Sequence, residues 1–299
     1  MRHPARPSPL ISVDELAARL GLTDLVVVDA RWVLGKPGEG RADYDAGHVP
    51  GAIHLDLDAD LASPTGFGAP GRHPLPTPDE FAARMGAVGI GDDTFVVAYD
   101  DAGGWIASRL WWMLDNLGHD APGRGGAAVL DGGWKAWRAA GLPVSSDPVP
   151  ALRARTLHVL DRWTRIIARD DLRDRLGTLV LLDARAPARY RGETEPIDPV
   201  AGHIPTARSA PWDLDVGPDG RLLPPDELRR RLGEIGLGGK DEVVTSCGSG
   251  TSATLHILAA RVAGLPDPTL YVGSYSDWSR SEWPVVSGAE PGSPADARA

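Results

Sequence analysis

The sequence predicts an α/β protein of two tandem domains, each a parallel sheet flanked by helices on both faces. Three observations carry this. The chain of 299 residues is long for a single core, and ordinary domain sizes divide it into two. Short, continuous apolar runs alternate with amphipathic helical stretches, the pattern of strands buried on both sides by crossover helices. A series of short motifs also occurs twice in the same order.

The repeat begins with Leu25-Val-Val-Val-Asp-Ala-Arg31, which returns as Leu179-Val-Leu-Leu-Asp-Ala-Arg185, so that Asp29 and Asp183 stand 154 residues apart (183 − 29). Gly47-His-Val-Pro-Gly-Ala52 returns as Gly202-His-Ile-Pro-Thr-Ala207, and Pro78-Asp-Glu-Phe81 as Pro225-Asp-Glu-Leu228. Asp131-Gly-Gly-Trp-Lys-Ala-Trp137 parallels Val272-Gly-Ser-Tyr-Ser-Asp-Trp278. Preserved order, as well as identity, argues against coincidence in a chain rich in glycine and alanine.

Within each copy, β-branched runs at 25–28, 95–98 and 127–130, then 179–182, 243–245 and 269–272, read as strands. Helical periodicity covers 13–20, 79–85 and 105–117, then 165–176, 226–235 and 252–263. Pro143, Pro148 and Pro150 interrupt any regular pattern, which places a first domain at 1–147, a linker at 148–155 and a second domain at 156–290.

Composition narrows the function. Forty-one acidic residues against 31 basic give a net charge of −10, the wrong sign for general nucleic-acid binding. No apolar run reaches the length of a membrane span. Residues 1–10 hold arginines and prolines but no apolar core, so no secretory signal is expected and the cytoplasm is the expected compartment. One cysteine cannot form an internal disulfide, and the eight histidines lack metal-ligand spacing, so neither metal nor organic cofactor is expected.

That cysteine sits where chemistry is expected. In open α/β sheets ligands gather at the carboxyl ends of strands, beside helix starts. Ser246-Cys-Gly-Ser-Gly-Thr-Ser-Ala253 is a glycine-containing loop between a strand and a helix. Backbone N–H groups in such a loop stabilise an anion, and so favour a thiolate or a persulfide. A lone cysteine is more often an inert buried apolar residue; its place at this junction points the other way. Aligning Ala107 with Ala253 sets Asp101 of Asp100-Asp-Ala-Gly-Gly-Trp-Ile-Ala107 opposite Cys247, so the two halves are expected to differ in catalytic load.

The doubled layout, the paired Gly-His-Val/Ile-Pro elements and the Cys-Gly-Ser-Gly loop resemble the two-domain sulfurtransferases, a family of tandem rhodanese-like domains. It comprises thiosulfate sulfurtransferases (rhodaneses) and 3-mercaptopyruvate sulfurtransferases. The resemblance spans residues 13–286. It implies a silent first domain and a nucleophile, Cys247, in the second, taking sulfur from a small anionic donor as a persulfide. A thiol such as thioredoxin, or cyanide, would accept it. It further implies a proton relay of Ser249, His73 (in Gly71-Arg-His-Pro-Leu75) and Asp58 (in Asp56-Leu-Asp58), with Arg189 holding the donor. The loop residues Gly248, Gly250, Thr251 and Ser252 would surround it. Arg185, His48 and His203 recur in both halves or stand in repeated turns, and are expected to be structural.

The neutral Cys247-Gly-Ser-Gly250 loop resembles that of the mercaptopyruvate kind. Against it, Glu195-Pro-Ile197 stands where that kind has Glu-Pro-Arg, Thr251-Ser252 replaces Val-Thr, Thr206 replaces a glycine and Tyr275 replaces a tryptophan. The donor therefore stays open between 3-mercaptopyruvate and thiosulfate. A cysteine phosphatase would need Cys-x5-Arg, but the sixth residue after Cys247 is Ala253. A non-catalytic rhodanese-like module that binds or senses sulfur is the competing reading.

Overall fold

The computed structural model describes residues 8–160 and 162–295. The chain forms two compact units. The first comprises the described residues up to Leu61, Thr77–Thr164 and Pro218–Leu222; the second comprises Ala62–Pro76, Arg165–Gly217 and the described residues from Leu223 onward. Residues 148–155, read as a linker, fall in the first unit, while the loop carrying His73 falls in the second. A physical reason is visible within the first stretch: Arg155 N–H donates to Gly86 O (2.9 Å), and Leu152 packs where a Cβ at Gly89 would fall.

The first unit runs β1 (Leu10–Ile11), α1 (Val13–Ala17), β2 (Leu25–Asp29), α2 (Glu39–Ala46), β3 (Ile53–His54), α3 (Pro78–Ala87), β4 (Phe95–Tyr99), α4 (Ala107–Asn116), β5 (Ala127–Leu130) and α5 (Gly133–Ala139). The second runs β6 (Ile166–Ile167), α6 (Arg169–Arg175), β7 (Val180–Asp183), α7 (Pro187–Tyr190), β8 (Arg208–Ser209), a 3-10 turn (Trp212–Asp215), α8 (Pro225–Glu234), β9 (Val243–Ser246), α9 (Ala253–Val262), β10 (Thr269–Tyr271) and α10 (Ser274–Trp278). Strand orders are β1-β5-β4-β2-β3 and β6-β10-β9-β7-β8, the same topology twice, with every strand pair parallel. Helices cover both faces of each sheet, so the central strands are buried almost throughout.

The long elements start where their caps dictate. Ser12 and Thr77 form capping boxes with Glu15 and Glu80, and Pro78 and Pro225 occupy first-turn positions that need no N–H partner. The predicted helix over 165–176 is corrected: Arg165 has φ +54°, Ile166–Ile167 pair with β10, and the helix starts only at Arg169. Two-residue strands such as β1, β3, β6 and β8 are too short to show a period.

The repeated motifs are repeated wiring. Arg31 and Arg185 each grip the aspartate two residues earlier, at 2.5 and 2.6 Å, and donate to the carbonyls of Gly47 and Gly202, both at 2.7 Å. His48 and His203 place Nδ1 2.9 and 2.8 Å from the carbonyl oxygens of Tyr44 and Tyr190 and stack on those tyrosine rings. Each tyrosine in turn donates its hydroxyl to Ala52 or Ala207. Among the described residues no helix is long and apolar enough to cross a membrane and no cluster of metal-ligating side chains occurs. Residues 1–7, which make up most of the segment in which no secretory signal is expected, are outside the described residues.

Candidate active site

β9 ends at Ser246 and α9 begins at Ala253, and the six residues between form the loop that carries Cys247. Two close approaches shape it. Gly250 has φ +74°, and a Cβ there would lie 2.3 Å from the carbonyl oxygen of Val272, so only glycine fits. The start of α10 fastens the other side: Tyr275 and Ser276 donate their N–H groups to the carbonyls of Cys247 and Gly248 at 3.0 and 2.9 Å.

Cys247 is 1% exposed, yet its surroundings are polar. Its Sγ accepts the Gly250 N–H at 3.1 Å, its own N–H donates to Ser274 Oγ at 3.0 Å, and that hydroxyl lies 4.0 Å from the sulfur. A sulfur that only filled an apolar gap would have hydrocarbon around it; this one meets amide and hydroxyl groups at the start of a ten-residue helix.

The proton-transfer candidates divide between the units. His73 Nδ1 lies 2.7 Å from Ser249 Oγ and 3.4 Å from Thr251 Oγ1, and all three side chains are buried. Ser252 is the half-buried residue preceding α9, with no side-chain cap bond. Asp58 belongs to the first unit, where its Oδ2 accepts the Trp32 indole N–H at 2.8 Å.

Arg189, on α7, does reach the loop. A Cβ on Gly248 would lie 3.5 Å from its Nη1. Its other donors are taken by Glu195 at 2.7 and 3.1 Å and by Asp198 at 3.1 Å. Arg185, behind it, is buried, which works against its charge; the Asp183 carboxylate, with Tyr275 and Glu195, outweighs this and raises its pKa. The ring of Tyr275 lies under that guanidinium, 3.7 Å from centroid to carbon, so the tyrosine standing in place of tryptophan has a packing role of its own.

Three residues at this site were not read from the sequence. Ser274 holds the Cys247 N–H, Arg72 approaches Gly248, and Asp198 bonds three guanidiniums. Arg72 stands beside His73 and could have been noticed there; Ser274 and Asp198 give no local signal.

The corresponding loop of the first unit is filled rather than empty. Strand register sets Tyr99 opposite Asp29 and Ser246 opposite Asp183, so the residue equivalent to Cys247 is Asp100, not Asp101. The first-unit loop is one residue longer, which misleads an ungapped alignment from the helix. Asp100 accepts four backbone N–H groups: Ala102 and Gly104 on Oδ1 at 2.8 Å, Ile106 and Ala107 on Oδ2 at 2.8 and 3.0 Å. A loop of this design thus binds an anion in the one copy that carries its own.

Comparison with known proteins agrees with this architecture. The rhodanese-like domain family matches residues 12–140 and 168–281. A Pseudomonas aeruginosa protein named "Probable 3-mercaptopyruvate sulfurtransferase" is 44% identical over 284 residues, 93% of this chain and 98% of that protein. The Arabidopsis thaliana "Thiosulfate/3-mercaptopyruvate sulfurtransferase 2" is 31% identical over 304 residues, 93% of this chain and 86% of that one. Among solved structures, the 3-mercaptopyruvate sulfurtransferase of Leishmania major superposes with a TM-score of 0.76 at 31% identity, covering 93% of this chain and 75% of its own.

Proposed function

Since this chain belongs to the rhodanese-like sulfurtransferase family, with two tandem domains of that kind, we propose that it moves sulfur from 3-mercaptopyruvate through a persulfide on Cys247. The carrying observation is the Gly250 N–H at 3.1 Å from Cys247 Sγ, in a loop whose counterpart binds the Asp100 carboxylate. Thiosulfate remains a second donor of the same site, and a thiol such as thioredoxin, or cyanide, the acceptor.

The Cys247 thiolate attacks the donor's sulfur. The new S–S bond forms as the carbon–sulfur bond breaks, and its electron pair leaves on carbon as the enolate of pyruvate. The donor's thiol proton ends on that carbon, giving pyruvate and a cysteine persulfide anion. Ser249 and His73, in hydrogen-bond contact, are placed to carry the proton. For Asp58 the support is the resemblance alone. With thiosulfate, sulfite leaves and no proton moves. In the second half-reaction the acceptor takes the outer sulfur and the thiolate returns. Arg189 holds the donor's anionic end as a planar fork, and Gly248, Gly250, Thr251 and Ser252 form the wall. The first unit is proposed to be silent because Asp100 fills its loop.

The test is mass spectrometry of the full chain after exposure to 3-mercaptopyruvate or thiosulfate. One added sulfur, about 32 Da, is expected on the Cys247 peptide and nowhere else. Cys247→Ser is expected to abolish both the adduct and thiocyanate formation from cyanide. An unmodified Cys247 with both donors would sink the proposal and favour a non-catalytic module.

A further inference from the structure

We infer that the second unit carries a separate small-molecule site, a hollow for a free α-amino acid with an apolar side chain, bound by Arg169 and Asp170. The hollow lies between the arm at 67–69, the start of α6 and the junction of β10 with α10. It encloses about 260 Å³. That is below the roughly 300–1,000 Å³ of sites for drug-sized ligands, so it suits a smaller occupant. The inference is independent of the proposed reaction, because neither Cys247, Ser249, His73 nor Arg189 lines the hollow.

The polar side of the hollow is held from behind. Arg169 Nη1 donates to Asp277 Oδ1 at 2.9 Å, and Tyr271 donates its hydroxyl to Asp277 Oδ2 at 2.7 Å. Both oxygens of that buried carboxylate are thereby taken. A Cβ on Gly273 would lie 2.5 Å from the same Oδ2, so the carboxylate leans on bare backbone. Two groups remain for a ligand. Arg169 Nε is buried without a hydrogen-bond partner among the described residues. Asp170 Oδ1 stands 3.9 Å from that nitrogen, beyond hydrogen-bond reach, on a side chain that is 71% exposed. A donor and an acceptor this close, neither satisfying the other, match an acid and an amine carried on one carbon. The carboxylate of an α-amino acid would take the Arg169 N–H, and its ammonium would donate to Asp170, both as charge-assisted bonds.

The other side is apolar. Ile167 and Ala168 line it together with Phe67, whose ring is left 38% exposed. An apolar side chain on the ligand would cover that ring, and a thioether suits an aromatic edge. The arm that carries Phe67 is fixed at both ends. Gly68 has φ +97°, and a Cβ there would lie 2.8 Å from Val272 Cγ1; Arg72 N–H donates to Ser276 Oγ at 2.9 Å. The hollow is therefore preformed, and little ordering opposes binding. It adjoins the sulfur site without entering it: Gly273, in its lining, precedes the Ser274 that holds the Cys247 N–H, and the arm runs on to His73.

The experiment is isothermal titration calorimetry of the full chain with L-methionine, a zwitterion whose thioether cannot accept sulfur from a persulfide as a thiol does. Saturable binding of one molecule per chain is expected within about 10 mM. Loss of a charge-assisted bond predicts a Kd raised about tenfold or more in Asp170→Asn and in Arg169→Gln. Two analogues of the ligand should weaken by a similar factor: 3-(methylthio)propylamine, which lacks the carboxylate, and the α-hydroxy acid, which lacks the ammonium. Asp170 is exposed, so its variant decides the matter should Arg169→Gln not fold. No saturable heat with L-methionine up to about 10 mM would overturn the inference. So would a Kd within about twofold of wild type in Asp170→Asn, or equal binding of either analogue, since each would mean that the Arg169–Asp170 pair does not read the zwitterion.

Discussion

Ser249 and His73 meet with Oγ 2.7 Å from Nδ1, both buried, one from the loop before α9 and the other from a segment 176 residues earlier. A hydroxyl and an imidazole in that contact can pass a proton, and only one of the two candidate donors has a proton to pass. Ser249→Ala should therefore lower kcat with 3-mercaptopyruvate by about 100-fold, the usual worth of a positioned proton-transfer group, and His73→Gln by a similar factor. With thiosulfate the same variants should stay within about threefold, since sulfite leaves without a proton. Parallel rates with the two donors check this; equal losses on both would assign the pair to holding the loop rather than to proton transfer.

The four amides around Asp100 make a second prediction, on stability. Asp100→Ala strands four N–H groups in a buried loop, each costing about 1–3 kcal/mol if left without a partner. Some will find water, so a net loss of about 3 kcal/mol is expected in urea denaturation, and a smaller one for Asp100→Asn, which keeps one acceptor. Sulfur loading of Cys247 in the remaining folded protein should be unaffected.

What the sequence made legible follows from what is local. The duplication, the long strands and the helix starts at Ser12 and Thr77 rest on periodicity and capping within a few residues. Cys247, Gly250 and Ser249 stand in one loop, and glycine and serine there have a readable cause. The meeting of Arg72 with Gly248, or of Asp198 with Arg72 and Arg280, joins segments 82 to 176 residues apart, which no local pattern encodes. The Asp100–Cys247 equivalence was displaced by one because strand register, not helix alignment, sets it.

Thr206 sits at φ +71°, where its counterpart Gly51 sits at φ +79°. A β-branched residue in the left-handed region is strained, and here its hydroxyl is also buried without a hydrogen-bond partner among the described residues. Thr206→Gly should relieve about 1 kcal/mol, raising Tm by about 2–4 °C in calorimetry. An unchanged or lower Tm would mean that the turn tolerates the side chain.

The last expectation concerns acid. His119, His203 and His256 are buried, and burial lowers the pKa of each below the ordinary value of 6.5. The folded chain keeps these rings neutral, whereas the unfolded chain protonates them as pH falls through 6.5. Stability should thus be intact above that value and decline below it, until the folded rings also take up protons. Asp101, Asp131 and Asp277 have pKa values raised by burial and work in the opposite sense, starting from the lower carboxylate range. His256, fully buried with Asp215 3.6 Å from its Nε2, separates the two contributions. Tm measured from pH 7.5 to 5 should fall less steeply for His256→Gln, which cannot titrate, than for the wild type; parallel curves would show that this histidine is charged in the folded state or contributes nothing to the acid response.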